Sequence, residues 1–216
     1  MSTTVASTGG IRSLINGICA GLNTAKEDYL DIKDDKNLPP AFSVVAKHLD
    51  LVQATLKTAK SHLNDNKPEA DQGVRIERAL GEGKKKASNL EVLFHSVASN
   101  DGTPLLERYP KAASKIGKGI RVELVMKALL EDVKKVAENP AMKKAGMGAQ
   151  IEVLKKAIEE VSELEPSIVE AAGSGGPTVN VWGGHANSNF GDGKQYISSD
   201  NANQYIAEIQ HIGGKV

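Results

Sequence analysis

The side chains with which this sequence could do chemistry are few and scattered. Its five histidines, His48, His62, His95, His185 and His211, never stand as His-x-x-x-His, and Cys19 is the single cysteine. Spacing therefore offers neither a zinc set nor an intramolecular disulfide. Solvent-facing or capping roles are expected for the histidines. Gly83-Lys84 and Gly193-Lys194 look like the end of a phosphate-cradling loop, which needs a glycine five residues before its second one and Ser or Thr after the lysine. Arg78 and Ser188 stand at the first place, and Lys85 and Gln195 at the second. Carboxylates such as Glu159, Glu160, Glu163 and Glu165 fall on the polar side of a helical pattern, where charge meets water. No nucleophile, general base or ligand cluster emerges, so the expectation is a protein that is not an enzyme and carries no cofactor.

What remains is chemistry of charge and of hydrogen bonding. Lys84, Lys85 and Lys86, with Arg75 and Arg78 a few turns earlier, form the densest basic cluster. Such a cluster suits a solvated helix face, and it suits anionic lipid heads, where each lysine contributes about 1 kcal/mol. Ile11, Leu14, Ile15, Ile18 and Leu22 make a stripe that is apolar enough for a lipid interface and for an ordinary helical core. These five apolar residues and Lys84, Lys85 and Lys86 are the candidate membrane contacts. The formal net charge is zero, so no whole-molecule field draws nucleic acid, and none is expected as a partner.

The C-terminal stretch has a different makeup. Of 27 basic and 27 acidic side chains all but five precede Gly173, whereas nine of the 21 glycines and half of the aromatics follow from there on. Gln-Tyr-Ile occurs at 195–197 and again at 204–206. A monomer of this composition cannot bury a core of its own and is expected to be disordered or loosely attached. Stacked copies change the balance, because Asn and Gln amides bond to their equivalents above and below while aromatics stack. The candidate self-assembly residues are Asn187, Asn189, Phe190, Gly191, Gly193, Gln195, Tyr196, Ile197, Asn201, Asn203, Gln204, Tyr205 and Ile206.

The elements that must carry these groups are helices. Apolar residues recur at helical spacing from Ile11 to Ala25, and from Phe42 to Leu63 behind Leu38-Pro39-Pro40, where proline suits a first helical turn. A third pattern from about Glu69 to Val97 is weakened at Gly81 and Gly83, where a bend is expected. A fourth runs from Leu105 to Glu138 with a break expected at Tyr109-Pro110, and a fifth follows Asn139-Pro140 toward Pro166. The fold class is all-α: an antiparallel bundle of about five helices over 1–172, a flexible linker at 173–177, and a tail at 178–216. With few aromatics, its core should be regular and aliphatic. No apolar run is long enough to span a bilayer, and the N-terminus lacks a secretory pattern, so a soluble cytoplasmic protein is expected.

Two resemblances follow from particular residues. Asn189-x-Gly191-x-Gly193-x-Gln195 resembles the prion-like motifs of fungal cell-death signalling, of the pseudopalindromic kind, which pass an amyloid fold from an NLR-like receptor to an effector. Leu38-Pro39-Pro40-Ala41-Phe42-x-x-Val45-Ala46-x-x-Leu49-x-Leu51-Val52-x-x-x-Leu56 resembles the second helix of the SesA-type domain, found at the N-termini of fungal NACHT and P-loop receptors and akin to HeLo-like domains. Together they imply an effector whose partners are its own copies and an NLR-like receptor with a matching segment. Activation would cluster the bundles, expose the first helix to an anionic membrane and move the protein to the plasma membrane. A second expectation stays open: a helical adaptor whose tail is an ordered strand docked on the bundle or on a partner.

Overall fold

The apolar stripes become the buried faces of long helices. The computed structural model describes residues 8–65, 68–99 and 101–168. The chain divides into two units, Met1–Val169 and Glu170–Val216, and the description concerns the first. Among the described residues there are seven helices and no strand: α1 Thr8–Ile32, α2 Pro40–Asp65, α3 Ala70–Ala98, α4 Leu105–Ile116, α5 Val122–Ala137, α6 Pro140–Lys144 and α7 Gly148–Ser162. The expected count of about five corresponds to the long helices α1, α2, α3, α5 and α7. The fourth pattern is split into α4 and α5, and the fifth opens with the short α6.

The split does not fall at Tyr109-Pro110. Pro110 lies inside α4, where it forgoes one intrahelical bond, to the Leu106 carbonyl. The chain breaks instead between Ile116 and Val122, where Gly117 follows the last turn and Gly119 takes φ +73°, a left-handed conformation that glycine adopts without strain. Asn139 starts α6 by accepting a hydrogen bond from the Ala141 amide at 3.1 Å. Helix α3 continues through Gly81 and Gly83 without interruption. Gly83 is buried between Ile18 and Leu129, so packing holds a helix that propensity alone would weaken.

Helices α1, α2, α5 and α3 form a ring in that order, with α2 and α3 on one diagonal. Across the α1–α2 seam Lys60 bonds Asn16 at 2.7 Å, Gln53 bonds Asn23 at 2.8 Å and Lys26 bonds Asp50 at 2.7 Å, so these helices are antiparallel. Across α1–α3, Gly17 faces Lys84, Gly21 faces Ala87 and Glu91, and Asp28 meets His95. Here residue numbers climb together, and the most extensive contact in the bundle is parallel rather than antiparallel. Two glycines of α1 line this seam. A Cβ on Gly17 would sit 3.3 Å from Lys84 Cε, and one on Gly21 would sit 3.0 Å from Glu91 Oε2, so glycine leaves room for the Lys84 and Glu91 side chains to lie over α1. Asn139, just past α5, reaches the Gln72 carbonyl near the start of α3, and Gly83 faces Leu129, which makes α3 and α5 antiparallel. Helix α7 lies outside the ring against α5 and α2.

The core is less uniform than its composition suggests. Tyr29, Phe42, Phe94 and Tyr109, contributed by four different helices, meet at one end of the ring. Phe42 stands edge-on to Phe94 at 5.0 Å and to Tyr109 at 4.9 Å, and Tyr29 edge-on to Phe94 at 6.1 Å. Such pairs contribute about 0.5–1.5 kcal/mol each beyond area burial. All the aromatics before Gly173 are therefore gathered into one cluster, which corrects the expectation of a core without large anchors.

Candidate functional site

The aromatic end of the bundle is also where the chain leaves α7, and a run of polar groups fixes that exit. Tyr109, 2% exposed on α4, accepts a hydrogen bond from the buried Val122 amide at 2.8 Å and lies 2.6 Å from Ser167 Oγ. Ser167 Oγ donates to Glu123 Oε2, and the Ser167 amide donates to Glu123 Oε1 at 3.2 Å. Since the Ser167 hydroxyl gives its one proton to Glu123, the polarity of the run is set: Val122 N–H to Tyr109, Tyr109 O–H to Ser167, Ser167 O–H to Glu123. Glu123, 4% exposed in the first turn of α5, also has Arg121 Nε 3.6 Å away. Each member donates or accepts where the next requires it, which is the condition under which a buried polar run stabilises rather than costs. Burial pushes the Tyr109 phenol up to about 12, although its hydrogen bonds with Ser167 and Val122 work the other way.

A second polar fastening joins α7 to α2. Lys47 Nζ is 2.8 Å and His48 Nε2 3.2 Å from the Glu160 carboxylate. His48 is 5% exposed, which corrects the expectation of a solvent-facing histidine: α7 packs over it. Burial pulls its pKa below the ordinary value against the attraction of Glu160, while Lys47 adds to the lowering. Glu160 is held below the usual carboxylate range chiefly by its hydrogen bond from Lys47. His95 is exposed and stands 3.4 Å from Asp28, whereas His185 and His211 lie outside the described residues.

The candidate membrane residues occupy two settings. Ile11, Ile15, Ile18 and Leu22 are fully buried in the core, and Leu14 packs partly buried against it. In this arrangement the α1 stripe faces the protein. The basic cluster is answered by acids: Lys85 pairs with Glu82 at 2.8 Å, and Lys86 pairs with the buried Asp132 at 2.6 Å. Lys135 joins Asp132 at 2.8 Å, and that hydrogen bond raises its pKa. Lys84 is exposed and runs its aliphatic stem over Gly17. Arg75 and Arg78 line a groove of about 390 Å³ between α3 and α5 together with Glu82, Asp132, Lys135 and Glu138, so its charges are mixed. Cys19 is half-buried on α1, and burial raises its thiol pKa, which leaves it a poor nucleophile. No group of three or more His, Cys, Asp or Glu among the described residues is placed to hold a metal. No described helix is long and apolar enough to cross a membrane.

The self-assembly candidates from Asn187 to Ile206 lie outside the described residues. Sequence reasoning overlooked Tyr109, Glu123 and Ser167, whose partners are 44 and 58 positions apart along the chain. For His48 a signal existed: it falls between Val45 and Val52 at helical spacing, on the edge of the α2 apolar stripe.

No curated protein and no solved structure matches the chain significantly. A family model does match residues 15–136, that of SesA, described as the N-terminal domain on NACHT NTPases and P-loop NTPases. The match begins at Ile15 within α1 and runs to Val136, the penultimate residue of α5, so it spans the greater part of the ring and the aromatic end. The chain belongs to the SesA family.

Proposed function

We propose that this protein is a non-enzymatic effector or adaptor of NLR-type signalling leading to regulated cell death. The observation that carries the reading is a SesA domain over residues 15–136 followed, from Gly173, by a segment of amide, glycine and aromatic composition. The segment 178–216 assembles with its own copies and with a matching segment on an NLR-like receptor, through the amides from Asn187 to Gln204. Assembly concentrates the attached helical domains by tethering, with no new contact needed between them. The clustered bundles then act on an anionic membrane. Because Ile11, Ile15, Ile18 and Leu22 are buried, this output needs α1 to leave α3, and the parting line is the seam at Gly17 and Gly21.

The test is dye leakage from liposomes rich in anionic lipid, using the full chain with and without preformed fibres of peptide 177–216. Leakage that rises with added fibres, and that Gln195→Ala in both components slows, supports the reading. A peptide that stays monomeric, without the cross-β repeat of about 4.7 Å, removes the trigger. Fibres that form and seed without leakage remove the membrane output and leave the adaptor. The second reading, an adaptor whose tail docks as an ordered strand, draws on the fastening of Ser167 to Glu123 immediately before the tail. It requires Gly173–Gly176 to resist proteolysis in the monomer, where the first reading requires rapid cleavage.

A further inference from the structure

The groove between α3 and α5 lies at the end of the bundle away from the aromatic cluster, beside the first half of α3 and the last turns of α5. Ala79, Asp132 and Asn139 are its buried residues, and its volume of about 390 Å³ is that of a small-molecule site. Its acids are answered. Glu82 has Lys85 at 2.8 Å, and Asp132 has Lys86 at 2.6 Å and Lys135 at 2.8 Å. Glu138 stands 4.0 Å from Lys134. Its guanidiniums are not answered in the same way: Arg75 reaches Asp71 at 3.8 Å, and Arg78 has no ion-pair or hydrogen-bond partner among the described residues.

The imbalance can be counted over the lining and all of its ion-pair partners. Arg75, Arg78 and Lys135, with Lys85, Lys86 and Lys134, make six cations, while Glu82, Asp132 and Glu138, with Asp71, make four carboxylates. A chain of zero net charge thus carries a local surplus of two positive charges here. The surplus rests on Arg75 and Arg78, three residues apart on one face of α3.

We infer that this groove binds a phosphate monoester carried on a small hydroxylated molecule, with Arg75 and Arg78 as its anchors. Each guanidinium can give a phosphate two parallel N–H bonds, and two guanidiniums match the charge of a dianion, where a carboxylate would need only one. Lys86 and Lys135 stay on the buried Asp132, which would be costly to strip of its partners, so they add field rather than contacts. The space exceeds that of a lone phosphate group. No aromatic side chain lines it, so a nucleobase finds no ring to stack on. Glu138 and Glu82 offer acceptors for hydroxyls instead. That combination selects a sugar or inositol phosphate over a nucleotide. Every residue involved precedes Val169, so the inference stands apart from the behaviour of the tail.

The probe is myo-inositol monophosphate, titrated into the full chain in a calorimeter. Phosphatidylcholine vesicles carrying phosphatidylinositol monophosphate form a second arm, because the same ester occurs free and on a lipid head. Binding of the soluble probe assigns a free ligand, and binding confined to the vesicles assigns the lipid head. In either arm Arg78→Gln should weaken binding at least ten-fold. Lys111→Gln removes the same charge from an exposed position on α4, at the other end of the bundle, and should change affinity less than two-fold. Arg78 is exposed, so its replacement leaves the core intact, as circular dichroism will verify. An inositol sulfate, with one negative charge fewer, should bind at least ten-fold more weakly than the phosphate. Binding in neither arm, no loss with Arg78→Gln, equal loss with Lys111→Gln, or sulfate held as tightly as phosphate overturns the inference.

Discussion

Replacing Tyr109 by Phe keeps the ring against Phe42, at 4.9 Å, and removes only the hydroxyl. Two consequences follow from the geometry. The Val122 amide, a buried donor bonded at 2.8 Å to that oxygen, loses its acceptor, and Ser167 loses the donor on its other side. An unsatisfied buried donor costs about 1–3 kcal/mol, so the variant should be about 2 kcal/mol less stable at pH 8. For a domain of this size that lowers Tm by about 4–8 °C. The second consequence appears in alkali. The phenol is pushed up to about 12 in the folded protein, while in the unfolded chain it ionises near its ordinary 10. The unfolded state therefore sheds this proton first, and stability that is fully present below pH 10 is lost as pH rises through 12. At pH 11 the wild type should have lost about 1.4 kcal/mol that the Phe variant never had. The gap between the two should shrink from about 2 to below 1 kcal/mol. Urea unfolding followed by helical circular dichroism at both pH values measures it, and the other tyrosines, present in both proteins, cancel in the difference. A Tyr109→Phe protein as stable as wild type at pH 8, or a gap that persists unchanged at pH 11, would refute the hydrogen-bonded run.

Three further outcomes are expected. Gly81→Ala, whose added Cβ meets nothing within 4 Å, should stabilise α3 by up to about 1 kcal/mol, whereas Gly21→Leu should destabilise by about 1–3 kcal/mol because Glu91 closes that space; thermal melts of both decide. Leu154→Ala should cost about 2–5 kcal/mol in urea unfolding, since the side chain is fully buried between α7 and the ring. His48 has a folded pKa below its unfolded one, so the unfolded state takes up the proton first. Stability present above pH 6.5 should fall as pH drops from there toward the depressed folded value. A His48→Gln protein should lack this acid-side slope in unfolding experiments between pH 7.5 and 5, and the same slope in both proteins would assign it elsewhere.

The SesA assignment and the all-helical class were both visible in the first half of the chain, because the signals involved are local. The block from Leu38 to Leu56 holds a proline entrance and an apolar repeat within a few turns, and a helix is decided over that distance. Gly117 and Gly119 were as visible as Tyr109-Pro110 when a break was expected. A proline signals a lost bond whatever surrounds it, whereas the cost is small in a short helix that packing holds.

By itself the sequence determined that the long apolar repeats are helical, where α2 begins, which face of each long helix is apolar, and that composition changes at Gly173. Each of these depends on residues a few positions apart. Only the tertiary structure decided that α1 and α3 run parallel with two glycines at their seam, that four aromatics meet, and that Asp132 answers the lysine cluster. It also decided that His48 and Glu160 face each other, and that Glu123 holds Ser167. These pairings join residues tens to more than a hundred positions apart, and a helix of given periodicity can be placed beside any of several neighbours. Which neighbour it takes is chosen by the fit of whole faces and by the need of each buried polar atom for a partner, conditions that exist only once the helices are assembled.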